Sequence, residues 1–127
     1  MQTQAVIGHI TGWLKDYALN ARAKGFVVGV SGGIDSAVVS ALAARTGLSV
    51  LLLDMPIRQK ADQSDRAQEH IRNLTRLFPN VSGQTVDLTP TFDTFAATVE
   101  AGGSEFPNKQ LALANARSRL RMVTLYY

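Results

Sequence analysis

No cysteine occurs among the 127 residues, which excludes disulfides, thiolate metal sites and a cysteine nucleophile. Histidine is almost as scarce. The two present, His9 and His70, fall on polar positions of expected helices, so no Ser-His-Asp or Cys-His arrangement and no histidine metal cluster is available, and both are read as surface residues. No apolar run approaches the roughly 18 residues of a membrane span. The start, MQTQAVIGHITGWLKDYA, lacks the basic region, apolar centre and small-residue cleavage site of a secretion signal. A cytoplasmic setting without membrane contact is therefore expected. Aromatic residues make up only 7%, and the 13 lysines and arginines are scattered rather than grouped. Despite a net charge of +3, a nucleic-acid partner is thus not expected, and small phosphorylated molecules suit the mild basic excess better.

What is present is an ordinary globular composition, 46% hydrophobic and 18% charged, in a chain of one-domain length. From Val6 to Ala23, the residues Val6, Ile7, Ile10, Trp13, Leu14, Tyr17, Ala18 and Ala21 recur at helical spacing and predict an amphipathic helix that Gly25 stops. Phe26 to Val30 is a short branched and aromatic run, read as a buried strand entering the turn Ser31-Gly32-Gly33. A helix follows from near Ser36 to the glycine cap at Gly47. The nearly all-apolar Leu48 to Met55 predicts a second parallel strand, ended by Pro56, and a polar helix follows from Asp62 to Phe78. A third, shorter strand is expected at Thr85 to Leu88, then a helix opened by Thr89-Pro90 and running past Phe92, Phe95, Ala96 and Val99.

Gly102-Gly103 reads as a hinge or turn. A last helix runs from Asn108 to the end, with Leu113, Ala116, Leu120, Val123 and Tyr127 on one stripe. Because Leu125-Tyr126-Tyr127 brings no capping residue, the chain is expected to be cut short of its natural end, leaving that stripe for a partner or a further segment to cover. Alternating strands and helices joined by short turns predict a doubly wound parallel sheet with helices on both faces, as a single domain over residues 1–127.

The chemistry concentrates in one loop. Ser31-Gly32-Gly33-Ile34-Asp35-Ser36, between a strand and a helix, places successive backbone N–H groups and a helix N-terminus around one small concavity. Gly32 and Gly33 permit close backbone approach, the helix end contributes about +0.5 of a charge, and the Ser31 and Ser36 hydroxyls can complete a shell around phosphate oxygens. Asp35 would repel a phosphate unless a cation lay between them, and a hard ion such as Mg²⁺ bridging the two resolves the conflict. A plain N-cap behind a glycine turn would also use these residues. Five fixed residues with a strand and a helix flanking them make the anion site the better reading. The loop is not a Walker A motif, because it lacks the terminal Lys-Ser or Lys-Thr, and it is not the dinucleotide glycine pattern.

The stretch FVVGVSGGIDSAVV resembles the PP-loop of the N-type ATP pyrophosphatases, which share a Rossmann-like, adenine nucleotide alpha hydrolase-like fold and cleave ATP to AMP and pyrophosphate while activating a substrate oxygen. NAD synthetases, GMP synthetases, asparagine synthetases and tRNA-modifying enzymes all carry it. The final segment, LANARSRLRMVTLYY, narrows the choice, since Asn115, Arg119, Arg121 and Met122 match a helix of the NAD synthetases, with Ser118 where alanine is usual. In that family the matching Asn and first Arg contact the dinucleotide substrate, which implies Asn115 and Arg119 here, beside a homodimer interface. Arg117 and Arg121 share a helix face while Arg119 points elsewhere, so the three cannot serve one phosphate.

A weaker signal is Leu53-Asp54-Met55-Pro56 with Ile57 to Asp62, a loop at the carboxyl edge of the sheet that borders the adenine in NAD synthetases. Backbone groups near Leu53 and Met55 would read the adenine edge. Gln59 resembles the family glutamine, with Lys60 as the other candidate for that place.

The resemblance implies an ammonia-dependent NAD synthetase, with ATP as substrate and Mg²⁺ as the metal. In that family the carboxylate of nicotinic acid adenine dinucleotide attacks the α-phosphate of ATP, and ammonia then displaces AMP. With the loop so near the start no upstream glutaminase domain is expected, so free ammonia is the implied nitrogen source unless a partner delivers it. Residues of the family's second half, including a further metal-binding carboxylate, have no counterpart, so the chain alone is expected to bind ATP without completing the reaction. Two other readings stay open: a tRNA-thiolating or GMP-forming PP-loop ligase, and a non-catalytic nucleotide-binding module.

Overall fold

The computed structural model describes residues 1–103 and 105–127. In chain order they form α1 (Thr3–Asn20), β1 (Gly25–Gly29), α2 (Ile34–Ala44), β2 (Ser49–Asp54), α3 (Ala61–Leu77), β3 (Val81–Thr85), α4 (Thr89–Glu100) and α5 (Lys109–Tyr126). The strands make one parallel sheet in the order β1-β2-β3. Gly25 pairs with Ser49 and Gly29 with Leu53, while Val50 pairs with Val81 and Asp54 with Thr85. The expected α/β class with helices on both faces is what forms, and the strand order does not reverse within these three strands.

Strand β2 shows why two layers of helix are needed. Side chains alternate across a strand, and every apolar position of β2 therefore demands cover on one face or the other. Val50 and Leu52, at 1% and 0% exposure, pack with Ala43 and Ala44 of α2 and Ala67, Ile71 and Leu74 of α3. Leu51 and Leu53 point the opposite way and pack with Phe92 of α4 and Leu113, Ala116 and Leu120 of α5. At the amino end of the sheet the Asn80 side-chain amide donates to the carbonyls of Ala44 at 2.9 Å and Leu48 at 2.8 Å. The Asn80 carbonyl accepts from Val50 N at 2.9 Å, so one residue ties together the approaches to β2 and β3.

The third strand lies four residues earlier than Thr85 to Leu88. Its sequence, VSGQT, buries only Val81, because β3 is an edge strand with little apolar surface to hide. Gly83 is required there, since a Cβ would come within 2.3 Å of Ile71 Cγ2. The apolar pair Val86 and Leu88 belongs instead to the second cluster, held by Val86 N donating to Asp54 O and Leu88 N to Pro56 O.

Helix α1 turns only part of its predicted stripe inward. Ala18 is buried and Ile7, Ile10 and Leu14 are half-buried, whereas Val6, Trp13 and Tyr17 stay exposed, the last two with ring centroids 5.4 Å apart. On α5 the stripe Leu113, Ala116 and Leu120 covers the sheet, but Val123 and Tyr127 remain outside with Leu111, Met122 and Tyr126. Among the described residues no helix is long and apolar enough to cross a membrane.

Candidate functional site

The loop Ser31 to Ser36 leaves the carboxyl end of β1. Val30 N donates to Leu53 O at 2.8 Å, so strand pairing persists until the residue before the loop. Gly32 then takes φ +83°, and a Cβ there would sit 2.6 Å from Gln63 O. No other residue type both adopts that angle without strain and lets the loop lie against the backbone of α3. Gly33 caps α2 without any side-chain bond, and the first helical hydrogen bond is Ala37 N to Gly33 O at 3.3 Å. The N–H groups of Ile34, Asp35 and Ser36 therefore have no helical acceptor, which is the electropositive end an anion occupies.

The two serines hold this geometry. Ser36 Oγ accepts from Ser31 N at 3.1 Å and donates to Gly33 O at 3.2 Å. Ser31 Oγ accepts from Gly33 N at 3.3 Å and lies 3.1 Å from Ser36 Oγ. Gln63 Nε2 adds a bond to Ser31 O at 3.2 Å. Behind the loop, the fully buried Ser40 places its hydroxyl 2.7 Å from Ser36 O and 2.8 Å from His70 Nε2. The same hydroxyl lies 3.0 Å from Ala37 O, so Ser40 links the first turns of α2 to His70. His70 is thus half-buried and braces the loop from α3, unlike the surface residue expected. Its place beside Ala67 and Ile71, on the shoulder of the buried stripe, was the available sign. His9 is exposed as expected.

A cleft of about 630 Å³ opens beside the loop, at the carboxyl ends of β1 and β2. Gly29, Val30, Ser31, Asp54 and Met55 form its floor, Gln59, Gln63 and Ser64 one wall, and Ser118, Arg121, Met122, Leu125 and Tyr126 of α5 the other. Gly29 keeps the floor open, since a Cβ there would press on Met55 Cε at 3.0 Å. Arg121 ties the walls together, donating from Nε to Met55 O at 2.9 Å and from a terminal nitrogen to Gln59 Oε1 at 3.3 Å. Burial holds this guanidinium below its ordinary pKa, and Arg117 adds to that while Asp54 opposes it. Asp54 is 4% exposed, and its Oδ2 accepts from Gln68 Nε2 at 2.5 Å.

The residues singled out in the sequence are placed as follows. Ser31, Met55 and Gln59 line the cleft, and Gly32, Gly33, Ile34, Asp35 and Ser36 continue from Ser31 as its rim. Gln59 faces the cleft, whereas Lys60 is the exposed residue preceding α3. Leu53 supports the floor from below, its side chain buried in the second cluster and its carbonyl engaged by Val30 N. Asp35 is exposed in the first turn of α2 and forms no ion pair among the described residues. Asn115 and Arg119 lie on the exposed side of α5, outside the lining of the cleft, one turn before Ser118 and Met122 respectively. Asp54, Gln63 and the bridging role of Arg121 were not expected. Only Asp54 carried a sign, an acid closing an apolar strand at the ligand edge of the sheet.

A family model described as NAD synthase matches residues 6–127. Relatives named NH(3)-dependent NAD(+) synthetase include one from Finegoldia magna, 35% identical over 119 residues, and one from Mesoplasma florum, 35% identical over 127 residues. These alignments cover 93% and 99% of this chain but 45% and 49% of those proteins, so the chain spans about half the length of the curated relatives it matches. Among solved structures, one described as NMN synthetase from Francisella tularensis superimposes with a TM-score of 0.85 at 34% identity, covering 99% of this chain and 49% of that one. An NH3-dependent NAD synthetase from Campylobacter jejuni, in complex with nitrate, gives 0.81 at 27% identity, covering 99% and 51%.

Proposed function

The chain belongs to the NAD synthase family, and from that premise we propose that it supplies the ATP-binding part of an ammonia-dependent NAD⁺ synthetase. The observation that carries this reading is the loop Ser31 to Ser36, whose uncapped helix end opens beside a cleft large enough for a nucleoside. ATP is the substrate this pairing accommodates, its pyrophosphate on the loop and its adenosine in the cleft, where Met55, Met122 and Leu125 offer apolar surface.

Asp35 would hold Mg²⁺. No group of three histidine or acidic side chains converges among the described residues, and a single unpaired carboxylate suits an ion that keeps several waters and takes its other ligands from phosphate oxygens. When bound, the ion neutralises charge on the pyrophosphate. The chain's own contribution is positional and electrostatic. The N–H groups of Ile34, Asp35 and Ser36 face the charge that develops as the bond from the α-phosphorus to the pyrophosphate breaks. In the complete protein, the carboxylate of nicotinic acid adenine dinucleotide forms a bond to that phosphorus as pyrophosphate leaves. Ammonia then attacks the acyl carbon and AMP departs, giving the amide of NAD⁺. Asn115 and Arg119 are assigned to the dinucleotide, and a second copy of the protein to the exposed side of α5, in a cytoplasmic homodimer.

One observation favours a second reading. The Francisella tularensis neighbour is described as an NMN synthetase, so a mononucleotide product is the alternative to the dinucleotide. Assay of the complete protein for both amides separates the two.

Calorimetric titration with a slowly hydrolysed ATP analogue and Mg²⁺ tests the loop itself. Wild type should bind, and Asp35→Ala should weaken binding at least tenfold, about 1.4 kcal/mol. Absence of binding by folded wild type would refute the nucleotide site, and equal affinities would remove Asp35 from the metal.

A further inference from the structure

We propose that Asp54 is the sugar-recognising carboxylate of the cleft, accepting hydrogen bonds from the ribose hydroxyls of the bound nucleotide. The inference rests on the reading of the cleft as a nucleotide site and adds to it the residue that distinguishes a ribose from a deoxygenated sugar.

Asp54 is a carboxylate at 4% exposure that nevertheless lines the cleft. An ionised carboxylate has room for about four hydrogen bonds, and burial makes unfilled places costly. The protein fills one. Gln68 Nε2 donates to Oδ2 at 2.5 Å and also reaches Thr85 Oγ1 at 2.7 Å, so the glutamine is anchored on β3 and fixes the carboxylate from behind. Among the described residues Oδ1 has no hydrogen-bond partner, and Asp54 forms no ion pair. Among the described residues the cation lining the cleft is Arg121, which donates to Met55 O and Gln59 Oε1 and makes no hydrogen bond to Asp54. The acceptor left facing the cleft is therefore one the protein does not satisfy.

Position selects the donor. Val30 N pairs with Leu53 O, so Asp54 ends the strand adjacent to the one that delivers Ser31 into the phosphate loop. With pyrophosphate on that loop, the part of the nucleotide closest along the molecule that can donate is the ribose. Phosphate oxygens would be repelled, and the adenine amino group lies at the far end of the nucleoside. Dinucleotide-binding Rossmann sheets, whose glycine loop is a different one, divide their ligand in the same way, with phosphate at the first strand and a sugar hydroxyl on an acid that follows.

The test compares ATP with 2′,3′-dideoxy-ATP, each with Mg²⁺, on wild type, Asp54→Asn and Gln68→Met, by calorimetric titration. Hydrogen bonds to a charged acceptor predict that wild type prefers ATP by about tenfold or more. Asp54→Asn, similar in shape, should shrink that preference to less than about threefold, and Gln68→Met should fall between. The wild-type comparison needs no variant to fold. Wild type binding both nucleotides equally would overturn the inference while leaving the nucleotide site intact. So would Asp54→Asn that retains the full preference or weakens both nucleotides by the same factor. Wild type that binds neither nucleotide would bring down the site and the inference together.

Discussion

The two faces of the sheet are built to different standards. On the first, Val50, Leu52, Ala43, Ala44 and Ala67 are all at 2% exposure or less, and α2 and α3 are further locked by Ser40 to His70 and by Asn80. On the second, α5 contains no buried residue at all, and its grip on the strands relies on half-buried leucines and on Arg121. The loop Ser31 to Ser36 belongs to the first face and the opposite wall of the cleft to the second. A ligand in the cleft would lie between a fixed anvil and a wall with little packing of its own, so any motion on binding is expected in α5.

Truncation of one leucine on each face tests that asymmetry most severely. Leu52→Ala should cost about 3–4 kcal/mol in urea denaturation, whereas Leu120→Ala, only half-buried, should cost about 1–2 kcal/mol. Equal losses would break the distinction between faces. A smaller effect is expected at the tie between them. Arg121→Met keeps the length of the side chain but removes both hydrogen bonds, and should destabilise by about 1 kcal/mol while loosening α5. Limited proteolysis should show cleavage within α5 before α2, and a variant as resistant as wild type would mean that leucine packing alone holds the helix.

The smallest effect is a dependence on pH. The exposed Asp87 carboxyl accepts from Thr89 N at 2.9 Å, and this backbone bond, then the Thr89 hydroxyl, hold its pKa below the ordinary aspartate value against slight desolvation. A lowered folded value means stabilisation that is complete above the ordinary aspartate range and fades as pH falls through the lowered value. Helix α4, on the second face, should therefore lose order first between about pH 5 and about pH 2. Circular dichroism of wild type and Asp87→Asn checks this, since the variant should begin with the deficit and show less change.

How much of this was legible varies with the physical signal. β1 and β2 were plain because each is an apolar run ending at turn residues, although β1 buries none of its residues and leaves Val27 at 48% exposure, and the loop Ser31 to Ser36 was plain because its geometry admits few residue types. β3 was misplaced because an edge strand such as VSGQT needs little apolar surface, while the neighbouring Val86 and Leu88 serve a cluster rather than a ladder. In α1, helical spacing marked a broader stripe than its packing against α2 could cover, leaving Trp13 and Tyr17 outside. Within the cleft, Met55 and Gln59 were found, yet Asp54 was not, since a lone acid acquires meaning only when the fold shows what faces it. The arginines of α5 could be separated by helical phase, but only docking against the sheet reveals that Arg121 reaches the cleft while Arg117 lies over the Phe92 ring.

Asn80 carries a consequence in time as well as in energy. Its amide spans the end of α2 and the turn into β2, and its carbonyl holds the first residue buried in β2. Neither crossover can open at that end without releasing the other, so the three strands should breathe as one cooperative unit. Their slowest amide protons should exchange with solvent at a common rate, and a nucleotide seated at the far end of the sheet should slow all of them together.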